Sequence, residues 1–190
     1  MRTYLVRSLI TSLVLLVLCS VLYTAAGWGI SQLAFHSEAN GSITKYGSTL
    51  IGQPWNDGKS INPEWFNGRP DADNPLVLNG TPGSSGASNL GPRSKTLVTD
   101  VEAMIAEWKA VGIDDPTQDL VTSSGSGLDP DITKADALVQ VPMIAKARGI
   151  SPSALRALIS RQTHGPQLGF LGGSYINVLQ LNEALAALTS

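Results

Sequence analysis

Residues 9–21 read LITSLVLLVLCSV, and they lie within an uncharged stretch that runs from Ser8 to Phe35. Since an α-helix rises about 1.5 Å per residue, roughly 20 apolar residues cross a hydrocarbon core about 30 Å thick. Tyr23 and Trp28 suit the far interface, where aromatic side chains anchor membrane helices. The stretch therefore predicts a single transmembrane helix near Leu9 to Phe35.

The charges beside this helix predict its orientation. Arg2 and Arg7 are the only charged residues before Glu38, and positive flanks favour the cytoplasmic side. We therefore expect residues 1–36 to form a cytoplasmic N-terminus and a single-pass anchor in the inner (plasma) membrane, and residues 37–190 a single extracytoplasmic domain. A cleaved signal peptide is the alternative; it would have a shorter apolar region than this one, with small residues at the cut.

The composition of the remaining chain excludes several classes of protein. Without Arg2 and Arg7, 11 of the 13 basic residues remain against 15 acidic ones, and they form no cluster of the kind that binds nucleic acid. Cys19, the single cysteine, lies inside the apolar run, so no disulfide framework is available. Two distant histidines and no carboxylate–histidine pair at helical spacing give no metal-ligand set.

The pattern of apolar residues predicts an α+β domain. Residues 41–91 are rich in Gly, Pro, Asn and Ser, with turn signals such as Asn74-Pro75, and they predict short strands, one over Ser48 to Gly52, or irregular packed structure. Four helices are predicted after them: Thr96 to Val111 with Ser94 or Thr96 as cap, Lys134 to Arg148 with a Thr133 cap, one from Ser151-Pro152, and one opened by Asn177. Pro142 should kink the second of these helices or mark its start, and Leu168 to Ile176 predicts a short strand or hairpin.

A hydroxyl-rich loop, TSSGSGLD at residues 122–129, is the main candidate for chemistry. One hypothesis is a stand-alone anchored hydrolase that uses Ser124 or Ser126 as nucleophile and His164 as base, although no glycine-flanked nucleophile elbow is present. A second is a phosphate cradle, because a Ser/Gly loop before a helix offers backbone N–H groups. The loop lacks the Lys-Ser/Thr of a Walker motif, and an extracytoplasmic loop is out of reach of cytoplasmic ATP. A simple turn before the Thr133 helix is the plainer interpretation.

Several segments together resemble a known family. They are 88–92 (SNLGP), 119–130 (DLVTSSGSGLDP), 140–142 (QVP), 145–149 (AKARG), 168–172 (LGFLG), 177–179 (NVL) and 181–182 (LN). The chain resembles the C subunit of the bacterial Kdp potassium-transporting ATPase over nearly its whole length. It departs from the family at residues 173–175, which read GSY where Glu-Pro-Arg is usual, and at Asp131, where His is usual.

The resemblance implies an accessory, non-catalytic subunit of a complex that imports potassium. Its partners would be a channel-like, potassium-selecting subunit, a P-type ATPase subunit and the lipid bilayer, with no nucleic acid. The family is described as a catalytic chaperone that raises the ATP affinity of the hydrolytic subunit. By this resemblance Gln140, with Ser124, Gly125, Ser126 and Gly127, is the candidate nucleotide contact. ATP would be shared with the hydrolytic subunit, and the chain would hold no cofactor or metal of its own.

Overall fold

A computed structural model describes residues 2–55, 61–71 and 84–188. The turn predicted at Asn74-Pro75 lies outside these ranges. The chain divides into two compact units, Met1–Ile43 and Thr44–Ser190, which are described separately. That the residues after 36 lie outside the membrane stays a prediction.

The first unit is a long apolar helix. It runs from Arg2 to Ala34, 33 residues with a mean hydropathy of 2.4 in its most apolar window, and by length and composition it can cross a membrane once. Helix α1 (Arg2–Val17) continues through a single π-helical turn (Leu18–Leu22) into α2 (Tyr23–Ala34), and the short α3 (His36–Ala39) follows. The prediction of one N-terminal membrane helix is confirmed.

The second unit combines helices with a very small sheet. The helices are α4 (Lys95–Ala110), α5 (Gln118–Val121), α6 (Lys134–Arg148), α7 (Pro152–Gln162) and α8 (Val178–Leu188), and the strands are β1 (Asp131–Ile132) and β2 (Ile176–Asn177). The strands pair antiparallel, with Asp131 opposite Asn177 and Ile132 opposite Ile176. This is the predicted α+β class.

The helix ends follow the signals in the sequence. Thr133 and Asp136 form a reciprocal capping box at the start of α6, and Gly149 ends that helix with a φ of +66°, which glycine adopts without strain. The Ser94 hydroxyl accepts from the Leu97 N–H at the start of α4. Pro142 lies within α6 and does not mark its start.

The core is built by α4, α6, α7 and α8. Trp108 is fully buried, and its indole Nε1 donates to the Leu120 carbonyl at 3.0 Å, which fixes α5 beside α4. The same core cluster contains Phe66, Met104, Ile144, Leu155, Ile159, Leu181 and Leu185.

Two predictions for the less regular regions have different outcomes. The strand predicted over Ser48 to Gly52 is wrong: this stretch forms a turn, in which the Leu50 N–H donates to Ser48 Oγ at 3.1 Å. The Gly52 N–H donates to the Leu128 carbonyl at 2.7 Å, and the Thr49 carbonyl accepts from Asn177 Nδ2 at 2.9 Å. Over Leu168 to Ile176, where a short strand or hairpin is predicted, the structure has a hairpin, but its first arm lies before the predicted range, since antiparallel bridges join His164 to Tyr175 and Gln167 to Leu171.

Candidate functional site

An extended segment, Phe66 to Arg69, crosses the middle of the domain. Phe66 and Asn67 are fully buried, yet no strand pairs with them in the described residues. The Phe66 N–H donates to Asn182 Oδ1 at 2.9 Å, and Asn182 Nδ2 donates to the Phe66 carbonyl at 2.9 Å. Gln140 bonds the backbone of the next residue in the same pattern. It accepts from the Asn67 N–H at 2.8 Å and donates to the Asn67 carbonyl at 2.9 Å.

These two amide side chains make the backbone hydrogen bonds that a neighbouring strand would otherwise make. A primary amide carries a carbonyl oxygen that accepts and an NH2 group that donates. One such side chain can therefore bond both the N–H and the carbonyl of a single residue. Gln140 extends from α6 and Asn182 from α8, and both are fully buried. Because a buried backbone group without a partner is costly, this arrangement explains why amides stand among apolar residues on two core helices.

Gln140, which the family resemblance implies as a nucleotide contact, is therefore hydrogen-bonded to the backbone inside the domain. Both polar atoms of Gln140 are bonded within the domain, its Nε2 also approaching the Asp136 carbonyl at 3.2 Å. The Asn67 Oδ1 beside it is buried without a partner in the described part of the chain. Gln140 faces the core, and its contact with nucleotide stays a prediction.

Arg69 connects this segment to the hydroxyl-rich loop. Its Nη2 donates to the Ser123 carbonyl at 3.1 Å and its Nε to the Thr122 carbonyl at 3.4 Å. The same guanidinium lies 3.8 Å from Asp119 and 3.7 Å from Asp129. One arginine thus holds both ends of the family segment 119–130, a role for which its planar, forked donors are suited.

Within the loop, the Ser124 and Ser126 hydroxyls contact groups of the same loop. Ser126 Oγ accepts from the Leu128 N–H at 3.2 Å and lies 3.4 Å from Ser124 Oγ. Ser124 is buried and Gly127 has a φ of +68°, whereas Gly125 and Ser126 are exposed. The structure places these four residues in one turn, while Gln140 bonds instead to the Asn67 backbone and to the Asp136 carbonyl.

The serines and the histidine of the hydrolase hypothesis have different neighbours. His164 stacks on Tyr175, with ring centroids 5.1 Å apart, and lines an open cleft of about 380 Å³ with Asp131 and Asn177. Among the described residues, no hydrogen bond joins His164 to Ser124 or Ser126. The structure assembles no nucleophile–base pair there.

The pKa of the Asp131 carboxyl group, in this cleft, is raised above its ordinary value. Desolvation raises the pKa, and nearby Asp129 raises it further, whereas the hydrogen bond from Asn177 Nδ2 at 3.1 Å and His164 act in the opposite direction. Burial is the largest of these effects. No group of three or more potential metal ligands occurs in residues 2–55, 61–71 and 84–188.

Sequence reasoning assigned no role to Arg69, Asn67 or Asn182. Asn182 did carry a signal, because an amide between Leu181 and Leu185 interrupts an apolar helix face. A polar residue on such a face requires a buried partner.

Together these features define a membrane-anchored protein whose small domain carries buried structural polar groups, with no catalytic group assembled among the described residues. The family model described as "KdpC: K+-transporting ATPase, c chain" matches residues 5–187. The chain belongs to this family.

Curated relatives agree over almost their full length. A potassium-transporting ATPase KdpC subunit of Paraburkholderia xenovorans is 43% identical over 180 residues, covering 90% of each chain. The subunit of the same name from Burkholderia ambifaria is 40% identical over 98% of this chain and 97% of its own. That of Caulobacter vibrioides is 40% identical over 98% and 94%. These proteins are named as subunits of a potassium-transporting ATPase.

Proposed function

We propose that this chain is an accessory, non-catalytic subunit of an ATP-driven, high-affinity potassium uptake complex. It supports the assembly or stability of a complex in which a channel-like subunit selects potassium and a P-type ATPase subunit hydrolyses ATP. The family match over residues 5–187 carries this proposal, because it includes both the apolar helix and the domain. The sequence also lacks the Asp-Lys-Thr-Gly of a phosphorylated pump, which supports a non-catalytic part.

The proposal includes an orientation, with the N-terminus in the cytoplasm and the domain outside. Arg2 and Arg7 support it, since positive residues favour the cytoplasmic flank of a first helix. A cysteine at the exposed position 126, in a Cys19→Ser background, should react with a membrane-impermeant maleimide on spheroplasts, where the outer membrane is no barrier. Labelling only after the cells are lysed would contradict the orientation.

The assembly role is tested in cells that lack this chain. Growth at limiting external potassium should fail and should return when the full chain is supplied. The other two subunits should be less abundant, or should separate, in membranes from the deleted strain. Normal growth and an intact two-subunit complex would contradict the proposal.

A finer proposal, from the family resemblance, is that the subunit raises the ATP affinity of the hydrolytic subunit. The exposed Gly125 and Ser126 are its best test, because a Cβ at Gly125 would meet open space and neither change should unfold the domain. If these residues act on nucleotide, complexes carrying Gly125→Ala or Ser126→Ala should need more ATP for half-maximal hydrolysis. An unchanged ATP requirement in both complexes would exclude this loop from the effect.

A further inference from the structure

The tip of the hairpin formed by residues 164–175 exposes large apolar side chains. Leu168 is 83% exposed and Phe170 is 75% exposed, in a three-residue loop between Gln167 and Leu171. Two backbone hydrogen bonds of 2.9 Å between Gln167 and Leu171 close this loop, so the tip has a defined shape. Single exposed apolar residues are common, but two within one closed three-residue loop form a local exposed apolar surface.

The backbone at the tip is one that leucine adopts poorly. Leu168 has a φ of +53°, in the left-handed region where the Cβ crowds the following carbonyl. Glycine or asparagine fits this position more easily, and neither would expose an apolar side chain to water. A leucine that is both strained and exposed gains nothing for the isolated domain, which points to a use for its side chain outside it.

The surroundings of the tip define the chemistry of what it contacts. Residues 165–182 contain no charged side chain. Beside the tip lies an open cleft of about 550 Å³, lined by Gln167 and Leu171 and by two carboxyl groups, those of Asp129 and Asp131. Arg69 lies 3.7 Å from Asp129, and both carboxyl groups still line the cleft. The complementary surface is therefore an apolar pocket with a positive side chain next to it.

A protein matches these features better than a lipid surface does. Segments that insert at membrane surfaces carry lysine and arginine, which attract anionic lipid, and none occurs between Arg161 and the end of the hairpin. The carboxylates in the neighbouring cleft would be repelled by such lipids.

We propose that the 164–175 hairpin docks this domain onto another subunit of the potassium-transporting ATPase. Leu168 and Phe170 enter an apolar pocket of that subunit, and a lysine or arginine of the same subunit enters the cleft beside Asp129 and Asp131. This inference rests on the proposed function, because it requires that the chain assemble with those subunits.

Photo-crosslinking in the assembled complex tests the contact directly. A photoreactive phenylalanine analogue at position 170 should form a covalent adduct with one of the other two subunits. The same analogue at position 98, a half-exposed apolar position on α4, is the control and should give at least tenfold less of that adduct. Adducts with lipid alone, or equal adducts at the two positions, would overturn the inference.

Association measured with variants separates this inference from the proposed function. The double variant Leu168→Asn, Phe170→Ser in the full chain should recover at least tenfold less of the other subunits than the wild type, with an unchanged melting temperature. The Val98→Ser variant should recover them normally. If the wild type itself recovers neither subunit, the proposed function fails. If the wild type and the double variant recover them equally, only the docking role fails.

Discussion

The Phe66–Arg69 segment and the Leu168–Phe170 loop both have irregular backbone, but the first buries its apolar side chain and the second exposes two. Phe66 is fully buried, and the side chains of two helices bond its backbone and that of Asn67. Among residues 2–55, 61–71 and 84–188, the loop at the hairpin tip is bonded only to its own hairpin, and it leaves Leu168 and Phe170 exposed.

The difference separates two uses of irregular structure. A buried irregular segment needs specific partners for each backbone group, so its amides and arginine contribute mainly to stability. An exposed loop needs no such partners, so its side chains are free to serve an interface. Stability and association should therefore respond to different substitutions in this domain.

The largest effect should come from Asn182→Ala. This change leaves the buried N–H and carbonyl of Phe66 without partners, and each unsatisfied group costs about 1–3 kcal/mol. We expect the free energy of unfolding to fall by about 3 kcal/mol, measured by urea denaturation. Gln180→Ala on the same helix is the control, with an expected change within about 0.5 kcal/mol. Equal losses for the two variants would remove the stabilising role of Asn182.

A smaller loss is expected for Arg69→Lys. Lysine cannot reproduce the forked contacts to the Thr122 and Ser123 carbonyls, although it keeps the charge near Asp119 and Asp129. We expect a loss of about 1–2 kcal/mol and faster proteolysis within residues 122–127. The exposed Arg93→Lys should change neither quantity. Unaltered proteolysis of the Arg69 variant would show that the conformation of residues 122–127 does not depend on Arg69.

Asp131→Asn tests the cleft beside the hairpin through its pH dependence. Because burial raises the pKa of Asp131 in the folded domain, the ionised carboxylate destabilises the fold at neutral pH. Its protonated form favours the fold, and that advantage is complete below the pKa of the unfolded chain and lost as the pH rises through the folded pKa. Asparagine still accepts the Asn177 hydrogen bond, so the variant should be more stable than the wild type at pH 7 and equal to it near pH 3. A difference in stability between variant and wild type that grows as the pH falls would contradict a raised pKa for Asp131.

The smallest effect on stability is expected for Leu168→Asn. Asparagine tolerates the left-handed backbone, and an exposed leucine contributes little burial. The melting temperature should be unchanged or slightly higher. Leu50→Asn, at another exposed position, is the control without strain relief. A clear drop for Leu168→Asn alone would show that the tip is needed for folding, and the contrast between the two regions would weaken.

Local signals made much of the fold predictable. The capping box of Thr133 and Asp136 and the Ser151-Pro152 start depend on residues within one helical turn, so they are legible in the sequence. The Ser48 to Gly52 strand was mispredicted because its Thr and Ile favour strands, whereas a strand also needs a partner along its length. Here the stretch forms a turn instead, with the Gly52 N–H bonded to the Leu128 carbonyl and the Thr49 carbonyl bonded to the Asn177 side chain.

The site was less predictable because its contacts join distant parts of the chain. Asn182 lies 116 residues from Phe66, and Gln140 lies 73 from Asn67, so their pairing depends on the assembled core. A short strand or hairpin was predicted there, but nothing local in the sequence marks Leu168 and Phe170 as exposed, because leucine and phenylalanine are more often buried. Their exposure follows only from the direction in which the finished hairpin points.

Hydrogen–deuterium exchange of the full chain, alone in detergent and within the assembled complex, tests the contrast most directly. The Phe66 and Asn67 amides should exchange slowly in both samples, since Asn182 and Gln140 hold them in the folded domain. The amides of residues 168–170 should exchange rapidly in the isolated chain and at least tenfold more slowly in the complex. Equal exchange of these hairpin amides in the two samples would contradict the account.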